Sequence, residues 1–364
     1  MKITHTEIYR FDIATPPFTI ATGTSHNAAN IFIRIHTDSE IYGVGECAPI
    51  PFITGETQDS CFYHAQKIAA FLKNKNPLDL ESRILDLNSV IAYNYTIKSA
   101  FDMALYDIAA KSSNLPLYKF LGGTKRKIET DITIGIDAPE KMAETAIEYK
   151  KSGVRTIKIK LGTKKQDDLE RIKQIRKSVG EDLSLRVDAN QGWDPETAMY
   201  LLKAMPEYKI QFCEQPMRYW NDDCLPDLRK GSSVPIMLDE SVFTHYDAKE
   251  AIKNKACDYI NIKFAKSGGI AEADKINKVS ETAGIPCMLG CMSESRVAIN
   301  AMLHFAVSRP NVQFYDLDTP FQHKVDPVNG GAHYDGYFLE PTDDPGIGVD
   351  VDNAYLKKCE KIMV

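Results

Sequence analysis

From the N-terminus to about residue 48, apolar and polar residues alternate with a period of two in KITHTEIYRFDI, ANIFIRIHT and IYGVGEC. That period puts the apolar side chains on one face of a strand. The stretch TPPFTIATGTSHNAAN interrupts the pattern and reads as a flexible segment. A helical region follows, in which SAFDMALYDIAAKSSN carries apolar residues at helical spacing and SSNLP ends the run. Strands followed by helices predict an α+β unit.

From about residue 128 the pattern changes, and short apolar strands alternate with amphipathic helices. TDITIGI precedes PEKMAETAIEYKKSG, TIKIKLG precedes KQDDLERIKQIRKSVG, and LSLRVDAN precedes PETAMYLLKAMPEY. IQFCEQP leads into a short polar segment, PIMLDES into HYDAKEAIKNKA, YINIKFA into GIAEADKINKVSETAG, and IPCMLGCM into SRVAINAMLHFAVS. NVQFYDLD comes last, with no clear helix after it. Such alternation predicts right-handed βαβ units and a parallel sheet. Eight strands favour a closed barrel over an open doubly wound sheet. No GxGxxG follows the first strand, which weighs against a dinucleotide fold. The expected fold class is α/β, a (β/α)7β modified TIM barrel with an N-terminal α+β cap. Residues 1–125 read as the cap, completed by about 335–364, and 126–334 as the barrel.

Composition narrows the function classes. The 364 residues carry 44 Lys+Arg against 50 Asp+Glu, a net charge of -6 that gives no support to nucleic-acid binding. No apolar run approaches the ~18 residues of a membrane span, and the N-terminus lacks a signal-peptide apolar core. Eight cysteines without a CxxC pair, several in apolar runs, suit reduced thiols in a cytoplasmic protein.

Within TIKIKLG, Lys158 and Lys160 share one strand face and Ile157 and Ile159 the other. Alone, the stretch reads as an amphipathic edge strand. In a barrel, isoleucines against the helices leave both lysines pointing into the lumen, where unpaired ammonium groups are costly. Compensating acids lie at matching strand ends: Asp188 on strand three, Glu214 on strand four and Asp239 on strand five, with Lys263 on strand six. The steps from 160 are 28, 26, 25 and 24 residues, each about one βα unit, so the groups share one height at the catalytic end of the barrel. One such acid reads equally well as a helix cap. Three on consecutive strands predict a cation site, and an all-oxygen set suits Mg²⁺. Lys160 and Lys263, on opposite sides, suit proton removal and return α to a carboxylate, with Lys158 and the metal lowering the pKa of Lys160.

These motifs, KIK, DANQGW, EQP, DES and NIKFAKSGG, resemble the enolase superfamily in its muconate-lactonizing-enzyme subgroup, over nearly the whole chain. YDLD, with Asp316 and Asp318, is similar to the DxD motif of the dipeptide epimerases. The resemblance implies that this pair binds a substrate α-ammonium group, that Lys158 meets the substrate carboxylate and that Thr133 lines the site. It puts Cys291, Met292, Ser293 and Glu294 beside the substrate. Members acting on Ala-Glu carry an arginine in the capping loop; the matching place here is Gly23, and no Lys or Arg occurs from Pro16 to Ala29. Unless His26 is protonated, a glutamate side chain finds no cation. The expected substrate is an Ala-X dipeptide with X neutral or hydrophobic, near Phe18, Ile20 and Thr24, with peptidoglycan turnover as its source. An o-succinylbenzoate synthase or cycloisomerase shares both lysines and all three acids. A Schiff-base aldolase using Lys263 and a non-catalytic binding barrel are the readings from other classes. The oligomeric state is open, a homo-oligomer included.

Overall fold

The computed structural model describes residues 1–364. Its first element is a long antiparallel hairpin, Ile3–Ile20 with Gly23–Thr37, which a third strand (Tyr42–Cys47) extends. The expected flexible interruption is therefore strand. Ala14 pairs with Asn27 and Phe18 with Ser25, and the irregularity is confined to a register shift between them. The segment is ordered because its tip docks on the barrel: Ile136 N donates to Thr19 O at 2.9 Å. The three-stranded layer packs on helices Gln58–Leu72, Leu80–Val90 and Tyr95–Ser112, around Ile31, Ile33, Ile35, Phe101 and Leu105.

The eight barrel strands follow one another in sheet order, all parallel: Ile132–Ile134, Thr156–Lys160, Ser184–Asp188, Ile210–Glu214, Ile236–Leu238, Tyr259–Ile262, Cys287–Gly290 and Val312–Asp316. The first and last strands meet through a bond from Asp131 N to Tyr315 O at 3.2 Å. The polar segment after strand four becomes a 3₁₀ turn and a short helix, Leu225–Gly231. Strand eight runs into one helical turn, Thr319–Gln322. Ile157 and Ile159 pack in the apolar shell, while Lys158 and Lys160 point into the lumen. Below them Phe212, Met237 and Met288 fill the lumen floor. Above that floor, Arg186 lies over Phe212 and Phe314 and reaches buried Asp131 at 2.6 Å.

Gly162, which ends TIKIKLG, has φ +102°. A Cβ there would sit 2.3 Å from Ala189 O and 2.6 Å from Ala21 Cβ, so glycine is required where the hairpin tip crosses the strand-two turn. After strand eight the chain adds short strands His333–Asp335 and Phe338–Glu340 beside Ile128–Glu129. It then returns to the cap, where Lys361–Met363 pairs with the first strand.

Candidate active site

Every chemically loaded group sits where period-two alternation turns it inward. Asp188 and Arg186 lie two apart on strand three, as do Lys158 and Lys160 on strand two. Asp188 and Glu214 close their strands, and Asp239 follows its own directly, all three fully buried. Each acid is held in place by polar neighbours. Asp188 Oδ1 accepts from Asn190 N at 2.9 Å, and Glu214 Oε1 accepts from Asn261 Nδ2 at 2.8 Å. Asp239 Oδ1 lies 2.9 Å from Lys266 Nζ, which also donates to the carbonyls of Asp239, Val242 and Asn261. Lys266 lies within NIKFAKSGG, but its inward reach depends on the turn Phe264–Ser267.

The remaining acid oxygens meet lysine ammonium groups and no other donor. Lys160 Nζ is 2.6 Å from Asp188 Oδ2, and Lys263 Nζ is 2.8 Å from Asp239 Oδ2. Lys158 Nζ touches Asp316 at 2.7 Å, Glu214 at 2.8 Å and Asp188 at 3.2 Å. Lys158 is not among the residues that line the cavity above. Burial pushes the Glu214 carboxyl up to about 7, helped by the charge of Asp188. Burial works against the ammonium of Lys263, yet Asp239 outweighs it and holds the pKa above its ordinary value. Three buried carboxylates converging from adjacent strands, with no thiol or imidazole among them, fit a hard divalent cation.

Above these groups lies a cavity at the barrel mouth. Lys160, Lys263, Thr133, Asp316, Asp318, Cys291, Met292, Ser293, Phe18 and Ile20 all line it. Strands two and six are four apart in the eight-strand order, so the two lysines face each other across it. Asp318 Oδ2 accepts from Thr133 N and from Gln322 Nε2, each at 2.7 Å. Burial and the neighbouring Asp316 raise Asp318 to about 6, whereas Lys158 and Lys263 outweigh burial and draw Asp316 down to about 2.

Four expected residues stand elsewhere. Thr24 and His26 are exposed, with Thr24 Oγ1 bonded to Thr19 Oγ1, because alternation along the hairpin turns them outward. Gly23 lies behind Phe52 and outside the cavity wall. Glu294 is turned inward under its own loop, where Oε2 accepts from Met292 N at 2.5 Å. Among the lining residues that the sequence reading missed are Ile50, Phe52, Ile53, Gln322 and His323. PIPFIT carries no polar signal, and Gln322 and His323 close a helical turn the pattern did not predict.

The comparisons agree with this architecture. Residues 5–122 match the mandelate racemase/muconate lactonizing enzyme N-terminal domain, and residues 141–355 the enolase C-terminal domain-like family. The chain is similar to a D-Ala-D/L-Ala epimerase of Cytophaga hutchinsonii, 41% identical over the full length of both. A crystal structure of the dipeptide epimerase of that organism, with Mg and D-Ala-L-Val, superposes with a TM-score of 0.99 and covers all of both chains. An L-Ala-D/L-Glu epimerase of Bacillus subtilis is 40% identical over 99% of this chain and 100% of its own. A hydrophobic dipeptide epimerase of Enterococcus faecalis is 40% identical over 91% of this chain and 94% of its own. Two-domain match, barrel and lumen chemistry coincide, and the chain belongs to the mandelate racemase/muconate lactonizing enzyme family of the enolase superfamily.

Proposed function

We propose that this protein is a Mg²⁺-dependent dipeptide epimerase that moves a proton at the α-carbon of the second residue of Ala-X dipeptides. The observation that carries the reading is the strand-eight pair: Asp316 and Asp318 line the same cavity as Lys160 and Lys263. A substrate with both a carboxylate and an α-ammonium group satisfies that arrangement, whereas a muconate or succinylbenzoate brings no cation to Asp318, which no lysine contacts.

Asp188, Glu214 and Asp239 would hold the Mg²⁺, which would supply positive charge to stabilise the substrate carboxylate. Whichever of Lys160 and Lys263 is the neutral amine takes the α-carbon proton from one face, and the opposite lysine, as its ammonium, returns one to the other, which inverts the centre. Asp316 and Asp318 anchor the first residue through its ammonium group. The cap hairpin covers the cavity with Phe18 and Ile20, which keeps water from the exposed α-carbon.

The relatives act on Ala-Ala, Ala-Glu and hydrophobic dipeptides at nearly equal identity, so identity alone does not choose X. The cavity wall favours one class of X. Phe18, Ile20, Ile50, Phe52 and Ile53 face the cavity from the cap, the hairpin from 16 to 29 has no Lys or Arg, and His26 is turned outward. X is therefore neutral or hydrophobic. A cytoplasmic location and a role in peptidoglycan turnover belong to the same reading, the former supported by eight free thiols. The test is incubation of an Ala-X library with Mg²⁺ in ²H₂O. Deuterium enters the second α-carbon of Ala-Ala, Ala-Val and Ala-Met, and Ala-Glu is the poorer substrate. Absence of exchange across the library sinks the reading.

A further inference from the structure

Two buried polar side chains of the cap reach into the loop that follows barrel strand seven. Glu46, on strand Tyr42–Cys47, is fully buried. Its carboxylate accepts from Ser295 N at 2.9 Å, Ser295 Oγ at 2.6 Å, Ala298 N at 3.2 Å and Asn30 Nδ2 at 2.8 Å. Asn30, on the neighbouring cap strand, donates from the same amide nitrogen to Ser293 O at 3.0 Å. On its far side the loop is tied to the barrel, where Thr319 Oγ1 donates to Glu294 O at 2.8 Å. Between these ties lie Cys291, Met292 and Ser293, which line the cavity.

A carboxylate taken out of water is costly unless several donors meet it, and an apolar side chain at the same place would bury without that cost. Four donors from two domains meet Glu46, which specifies both distance and direction in a way apolar contact does not. Ordinary helix capping needs only a side chain from the loop itself, and Ser295 already supplies one through Val297 N at 3.1 Å.

We propose that Glu46, with Asn30, is a positioning residue that sets the 291–295 loop against the dipeptide, so that the barrel's own substrate wall is correctly placed only when the cap is docked. Glu46 touches neither metal ligand nor lysine, and it acts through the loop. The kinetic part of the test rests on the dipeptide reading.

Asn30→Ala removes the tie to Ser293 and leaves both Ser295 donors and Ala298 N on Glu46. Glu46→Gln replaces one acceptor oxygen by a donor facing Ser295 or Asn30. In both variants KM for Ala-Val rises about tenfold, the loss of one good hydrogen bond, with kcat within about threefold of wild type. Mg²⁺ binding stays within about twofold by titration calorimetry, and amide hydrogen exchange at residues 292–298 speeds up by about tenfold or more. Glu46→Gln shows the larger effect, and if it fails to fold Asn30→Ala decides alone. A folded Asn30→Ala protein with unchanged KM and unchanged exchange at 292–298 overturns the proposal, as does a loss confined to kcat. Should wild type turn over no dipeptide, the functional reading fails, and the exchange at 292–298 alone judges the clamp.

Discussion

Arginine at position 23 tests how the cap selects the second residue. The backbone at Gly23 lies outside the left-handed region, so a side chain there meets no backbone strain. It meets Phe52 instead: a Cβ would stand 3.0 Å from Cε1, 3.3 Å from Cδ1 and 3.4 Å from Cζ of that ring. The ring must give by a few tenths of an ångström, and at 37% exposure on the one-turn helix Pro51–Thr54 it has solvent to turn toward. A guanidinium bonded to a substrate carboxylate contributes about 1.5–3 kcal/mol. At 1.36 kcal/mol per decade, that is about a tenfold to hundredfold gain in kcat/KM for Ala-Glu relative to Ala-Val. Displacing Phe52 from its rotamer costs about 0.5–1.5 kcal/mol, so Gly23→Arg alone realises only part of the gain. The double variant Gly23→Arg, Phe52→Ala realises the whole of it and loses activity on Ala-Val. The assay is initial rates of α-deuterium incorporation, by ¹H NMR, for both dipeptides with the single and double variants. Equal ratios in wild type and the double variant would refute the placement of the second side chain against this part of the cap. A single variant as effective as the double would refute the obstruction by Phe52.

Lys160→Ala and Lys263→Ala should each slow epimerisation by about 10² to 10⁴-fold, while exchange without inversion persists from opposite stereoisomers, read by NMR from separate L and D second-residue substrates. Asp316→Asn or Asp318→Asn should raise KM for Ala-Val with Mg²⁺ binding intact, and an unchanged KM would remove the ammonium anchor from the reading. Removing divalent cations with EDTA should abolish exchange, and Mg²⁺ should restore it. His304 joins barrel to cap, its Nδ1 accepting from Tyr118 N at 3.0 Å, and burial draws its pKa from 6.5 down to about 4. A histidine depressed in the fold contributes stability that is whole above pH 6.5 and is lost as pH falls from there toward 4, on the order of 3 kcal/mol. Thermal melts of His304→Gln should lack that acid-side loss, and an identical pH profile would exclude His304 as its source.

Much of this site was legible in the chain because a barrel strand has only two faces. Once the 25-residue rhythm implies eight parallel strands, an acid or lysine at a strand's end has a known height, and the period of two says whether it faces helices or lumen. Lys160, Asp188, Glu214, Asp239 and Lys263 follow from that geometry, and Asp316 and Asp318 follow at the strand where the rhythm ends. The cap obeys no such rule. Its hairpin from Ala14 to Asn27 looked flexible because Pro16, Pro17, Gly23 and Asn27 weaken strand propensity, and only docking on Ile136 and the strand-two turn orders it. Phe52 and Ile53 belong to the cavity because a separate layer folds over the barrel mouth. Lys158 gathers Asp188, Glu214 and Asp316 from three different strands. Glu46 reaches Ser295 across 249 residues of chain. The sequence by itself determined the barrel, its catalytic height and the chemistry at that height, since these depend on local period and spacing. Tertiary structure alone decided which groups turn toward substrate, because charge pairing and cap docking join residues that no local pattern connects.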